Sequence, residues 1–200
     1  MQAVEPAAKP MPKTPLSPVR LLARWSCHAC RLAHDQRGAT AVELALLAVP
    51  FFALVGAILE TAMIFLASQV LDSAVQDASR YILTGQVQSI SGYDVTNFQN
   101  AICSRLFGLF DCNNLRINVS TVTNFASATT TTSPLDTTDP TQWTLAESFD
   151  PGTANSVVLV RVYYKWPVFM NFAGFNLAQS SADHTFLLGA ARVFKNEPFS

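Results

Sequence analysis

The sequence predicts an α+β protein: a long N-terminal helix, apolar at first and amphipathic later, carrying a small antiparallel sheet as its head. Three observations lead there. Sixteen consecutive residues, 44–59, hold no polar side chain. An amphipathic stripe follows with no helix breaker between. Three later stretches alternate apolar and polar residues with the period of a strand.

The apolar run comes first. Glu60 and Thr61 interrupt it, and Ala62–Ala67 continues it. Ala39 to Leu59 spans about 32 Å at ~1.5 Å per helical residue, against a hydrocarbon core of ~30 Å. A buried helix of a soluble domain would show a stripe, whereas this run is apolar all round. Charge gives it a direction. Residues 1–38 hold six basic and two acidic residues, and the remainder holds seven basic and twelve acidic. Four Arg lie between residues 20 and 37, and the next basic residue after the span is Arg80. The positive-inside tendency then leaves the N-terminus in the cytoplasm and the rest outside. A secretory signal fits poorly, because the apolar region is too long and no small-x-small site directly follows. A lipoprotein signal fails because Cys27 and Cys30 precede the run. Pro50 cannot donate to the carbonyl of Leu46, so a kink is expected there, serving either bending or nothing beyond a tolerated membrane proline.

Beyond residue 67, Val70, Leu71, Ala74, Val75, Ala78, Tyr81 and Ile82 fall on one helical face, with Asp72, Gln76, Asp77 and Arg80 opposite. Neither Gly nor Pro occurs between Ala57 and Thr84, and Gly85 is a natural stop. One helix from Ala39 to Leu83 would be about 68 Å long. The chain therefore divides into a basic leader (1–38), a membrane helix (39–67), its amphipathic continuation (68–85) and a head (86–200).

In the head, Thr96-x-x-Gln99 reads as a capping box opening a helix over Thr96–Phe107. Cys103 and Cys112 bound a ten-residue loop. On the outer side of a membrane they favour a disulfide, against the alternative of two buried thiols. Leu115–Val122, Ser156–Trp166 and His184–Phe194 read as strands, with Leu115, Ile117 and Val119, then Val158, Val160, Val162, Tyr164 and Trp166, turned to one side. Trp143–Glu147 reads as a further short one. The Thr-, Ser- and Pro-rich stretch 126–141 reads as a mobile surface loop. Val168–Phe175 is either a core-covering loop or a contact patch.

No constellation suggests an enzyme. There is no Gly-rich phosphate loop and no His-Glu-x-x-His. Cys27, His28, Cys30 and His34 make less than a convincing zinc site. Asn118-Val-Ser120 is a bare glycosylation sequon. No metal, cofactor or small-molecule substrate is expected. A net charge of −1 argues against nucleic acid.

The remaining signal lies at the mouth of the apolar run: Arg37-Gly38-Ala39-Thr40-Ala41-Val42-Glu43-Leu44. A glycine, four small or apolar residues and one Glu resemble a type IV prepilin cleavage motif. The wider stretch through Glu60 to Ala78-Ser79-Arg80 and Gly85 resembles TadE-like pseudopilins of the tight-adherence (Tad, or Flp) pilus system, and so does the end of the chain, Arg192–Phe199. The resemblance implies a cut by prepilin peptidase between Gly38 and Ala39, leaving Glu43 as the fifth residue of the mature chain. It implies a structural or assembly subunit in a bacterial inner membrane, its head in the periplasm, meeting other pilin or pseudopilin subunits and inner-membrane assembly proteins. Physics fits that role. Gly38 lets a protease approach the backbone. A carboxylate near the hydrocarbon costs ~2.5–3.5 kcal/mol on insertion scales and persists with a partner, which the new ammonium of a neighbouring subunit's Ala39 would supply. Leu44 stands where major pilins often have an aromatic residue, and the leader is long; both favour a minor subunit. Glu60 has two readings. If the span starts at Ala39 it lies among the outer headgroups, hydrated. If it starts at Leu44 it lies deeper and needs a partner, and in either case a contact with another small pilin is open. The alternative to all this is an uncut, signal-anchored binding module.

Overall fold

The computed structural model describes residues 38–129, 133–172, 175–178 and 183–199. The basic leader, with Cys27, His28, Cys30 and His34, lies outside the described residues. The chain divides into two compact units, Met1–Phe51 and Phe52–Ser200.

In the first unit, residues 39–51 form the opening turns of α1, a helix of 45 residues that runs Ala39–Leu83. All but one of these residues are exposed, apolar side chains included, and the helix continues through Pro50.

In the second unit α1 changes character. Ile64, Ala67, Leu71, Ala74, Val75, Ala78 and Ile82 are buried, at the three- and four-residue spacing of one face. Gly85 ends the helix with φ +76°. Its N–H bonds the Ile82 carbonyl at 3.1 Å, and the Gln86 N–H bonds that of Tyr81 at 3.0 Å, a Schellman closure that satisfies carbonyls the helix leaves open. A side chain at 85 would also meet the ring of Phe199, 2.4 Å away. The chain's end is tied to the same place, because the Glu197 N–H donates to the Leu83 carbonyl at 2.9 Å.

The second helix, α2, spans Val95–Cys103. Its cap lies two residues earlier than the capping box suggests. Asp94 is the cap and accepts from the Asn97 N–H at 3.0 Å, while the Gln99 side chain leaves for the Cys112 carbonyl. It also ends earlier, short of Phe107. Phe107 and Gly108 both have positive φ, and this reversal brings Cys112 back to Cys103, to which it is bonded.

Strands β1 (Arg116–Val122), β2 (Ser148–Phe149), β3 (Val157–Pro167) and β6 (Thr185–Lys195) form one sheet in the order β2-β1-β3-β6. Two short strands, β4 (Asn171–Phe172) and β5 (Phe175–Asn176), pair with each other. The three long strands pair antiparallel, but β2 lies parallel to β1. The sheet is therefore mixed, where the period-two pattern suggested an antiparallel one. The reason is the long β1–β2 connection, which carries the chain back to the starting end of β1. Asn118 holds β2 there, donating to the Ala146 carbonyl at 3.0 Å and to Ser148 Oγ at 2.7 Å, and accepting from Arg161 at 2.8 Å. Buried and engaged in this way, Asn118 is no glycosylation acceptor.

Leu115, Ile117, Val119, Val158, Val160, Val162, Tyr164, Leu188 and Ala190 join the buried stripe of α1 and Phe98, Ile102 and Leu106 in one core. Fully burying each of the larger side chains contributes ~1.5–3 kcal/mol. The Thr-rich loop is better anchored than its composition implies. Leu135 bridges to Trp143. Lys165 reaches across to the Pro140 and Thr141 carbonyls at 3.0 and 2.8 Å and to Asp183 at 3.0 Å.

Candidate functional site

In the first unit the residues of the cleavage motif sit at the start of α1. Gly38 precedes the helix and is exposed, and a Cβ there would meet nothing within 4 Å. Ala39 is the first helical residue, and Glu43 follows one turn later, exposed and four residues on, so the two share a face. Among and after them, Val42, Leu46 and Val49 with the small Ala41 and Ala45 line a shallow apolar groove. Small residues beside large ones on a bare helix let another helix come close.

The apolar run is exposed along its length. From Val42 to Leu66 the large apolar side chains of α1 that face outward are 44–70% exposed. The helix is long and apolar enough to cross a membrane, with a mean hydropathy of 2.4 over its best window. Exposure on this scale in water would be a heavy penalty; in lipid it is none.

Glu60 lies in the second unit, where the head begins to cover α1, and is buried. Its carboxylate accepts the backbone N–H of Phe169 and that of Met170, the latter at 3.1 Å to each oxygen. Both donors come from the chain's own β3–β4 turn. Gly56, one helical turn before Glu60, receives the Met170 side chain, and a Cβ there would stand 2.8 Å from its Cε. An open apolar groove of about 750 Å³ lies alongside, lined by Leu54, Ile58, Phe65, Met170 and Leu177 among others. Of the Val168–Phe175 stretch, Val168 is core and Phe169 is 83% exposed.

Sequence reasoning marked Glu60 but not its acceptor role. No pattern announces a backbone donor 109 positions away. It also missed the ties that fix the head on the helix. Arg192 bonds the Asp72 carboxylate. Arg105 reaches Tyr81 Oη at 3.1 Å and Asp77 at 3.4 Å. Exposed pairs of this kind contribute ~0–1 kcal/mol each, so they orient the head more than they stabilise it. Among the described residues no group of His, Cys, Asp or Glu is arranged to hold a metal.

Residues 38–80 match the family described as TadE-like protein. The match covers the cleavage motif, the apolar run and most of the amphipathic stripe. No curated protein and no solved structure matches the chain. Over Gly38 to Arg80, about a fifth of its length, the chain is thus similar to TadE-like proteins.

Proposed function

We propose that this chain is a pseudopilin, or minor pilin, that serves assembly of a Tad-type pilus after prepilin peptidase cuts between Gly38 and Ala39. The observation that carries the reading is the arrangement at the start of α1: an open glycine, a first helical alanine and a Glu one turn on, leading into a bare apolar helix. Cutting there frees an ammonium on Ala39. In a bundle of such helices Glu43 of one subunit pairs with Ala39 of another, and the cost of leaving either charge unpaired in lipid selects one axial register. The apolar face around Ala41 and Ala45 supplies the close contact. The basic leader keeps the N-terminal side in the cytoplasm, the head stands in the periplasm, and the partners are other pilin-like subunits and inner-membrane assembly proteins.

The Glu43→Ala variant tests this. It should insert and be processed at the wild-type level yet be lost from complexes purified through a tagged pilus subunit. Recovery of the variant in those complexes at wild-type yield would refute the pairing.

A further inference from the structure

We infer that the turn after β3, with Phe169 and Met170 at its tip, is a second membrane contact, a foot that enters the leaflet on the head's side and is held there by Glu60. The inference rests on α1 being a membrane span.

Depth is the first argument. Counting along the sequence, Glu60 is 21 residues past Ala39, about 32 Å at ~1.5 Å per residue, which is the far edge of a ~30 Å hydrocarbon core. Phe169 bonds Glu60 through its backbone, and Met170 packs on Gly56, about 6 Å further in by the same rise. The turn therefore reaches to, and just below, the interface.

Composition is the second. From Trp166 to Ala182 the sequence has no charged residue. Phe169 is 83% exposed beside the buried Val168. The groove between this turn and α1 is lined by Leu54, Ile58, Phe65, Met170 and Leu177, and it is continuous with the exposed apolar face of the helix that lipid would cover. Lipid is the occupant that needs no new surface.

The backbone points the same way. An irregular segment at hydrocarbon depth must have its N–H groups satisfied from within the protein. Here consecutive N–H groups of Phe169 and Met170 both go to one buried carboxylate. A turn in water would have solvent for them. The same bonds explain how a carboxylate is tolerated at that depth, since charge-assisted donors offset its desolvation.

The test uses the full chain with Cys27→Ser and Cys30→Ser, reconstituted alone in phosphatidylethanolamine–phosphatidylglycerol vesicles. An environment-sensitive fluorophore is attached in turn to Leu46→Cys, Phe169→Cys and Phe125→Cys. Phe125 lies beyond the other end of the sheet, after β1, whose last residue pairs with the first of β3. Eleven residues of β3 separate the ends, ~35 Å at ~3.3 Å per residue. Chain-labelled quencher lipids should quench the probe at 169 to at least half the extent seen at 46, with a blue-shifted emission, and leave 125 unquenched. Quenching at 46 with a water-like signal at 169 would overturn the foot while leaving the span intact. A water-like signal at 46 would overturn both. Adding Glu60→Ala to the Phe169→Cys chain should return the signal at 169 to the level of 125 without change at 46; an unchanged signal at 169 would show that Glu60 does not hold the foot.

Discussion

Replacing Glu60 with Ala removes the acceptor of two backbone N–H groups at once. Hydrogen bonds to a charged group contribute ~1.5–3 kcal/mol each, so two donors give ~3–6 kcal/mol. The turn is half-buried, which places the loss near the low end, about 3 kcal/mol. Burying the carboxylate also carries a desolvation cost, and the variant is relieved of that. The two terms oppose, so global stability is a poor readout and local opening is the right one. At ~1.4 kcal/mol per decade, a loss of about 3 kcal/mol raises exchange at the two amides about 100-fold. Hydrogen–deuterium exchange followed by mass spectrometry, on the full chain in nanodiscs, reads this directly in the peptide covering residues 166–172. The strand peptide of Arg116–Val122 serves as the control and should not change. Glu60→Gln keeps one carbonyl oxygen, and neutral bonds of ~0.5–1.5 kcal/mol replace charged ones, so its exchange should rise by about tenfold. Wild-type exchange at residues 169 and 170 in Glu60→Ala would refute the clamp.

Two further outcomes follow from the head. Cys103 and Cys112 close a ten-residue loop. The Cys103→Ser/Cys112→Ser variant should lose about 2.7 kcal/mol by the loop-entropy relation, measured by denaturant unfolding of the full chain in detergent; a loss below about 0.5 kcal/mol would contradict it. The Asp136 carboxyl sits below its ordinary value because it accepts from the Thr138 hydroxyl first, then from the Thr138 and Asp139 N–H groups. A depressed carboxylate stabilises its turn above the ordinary value, and that contribution is lost as pH falls through the depressed one. Carbon-13 titration should find the Asp136 midpoint below the ordinary 3.8, and Thr138→Ala should raise it. A midpoint at or above the ordinary value in the unmodified chain would refute the turn geometry.

Much of the architecture is legible because it depends on side-chain periodicity. The apolar run has no polar side chain until Glu60, the stripe from Val70 to Ile82 repeats at helical spacing, and Gly85 can adopt the φ of +76° that closes the helix. Strand β3 announces itself by Val160, Val162 and Tyr164 alternating with Arg161, Tyr163 and Lys165. What stays hidden depends on single polar contacts at long range. β2 is two residues long, and its parallel pairing hangs on the Asn118 side chain. The capping-box pattern puts the cap of α2 at Thr96, whereas the structure uses Asp94 and engages Gln99 at the Cys112 carbonyl. The start of the candidate site is visible for the opposite reason. Gly38, Ala39 and Glu43 are sequence neighbours whose meaning needs no fold. Glu60 is visible only as an anomaly in an apolar run, because its partners are backbone groups contributed by the far end of β3.

Register pairing requires α1 to be set free at its N-terminus so that Ala39 can meet Glu43 of a neighbour. Intact-mass and N-terminal peptide analysis of the native protein, recovered from cells with an active prepilin peptidase, measures this directly. Ala39 should be the first residue. A chain that still begins at Met1 or Gln2 under those conditions would contradict it and leave an uncut, membrane-anchored binding module in its place.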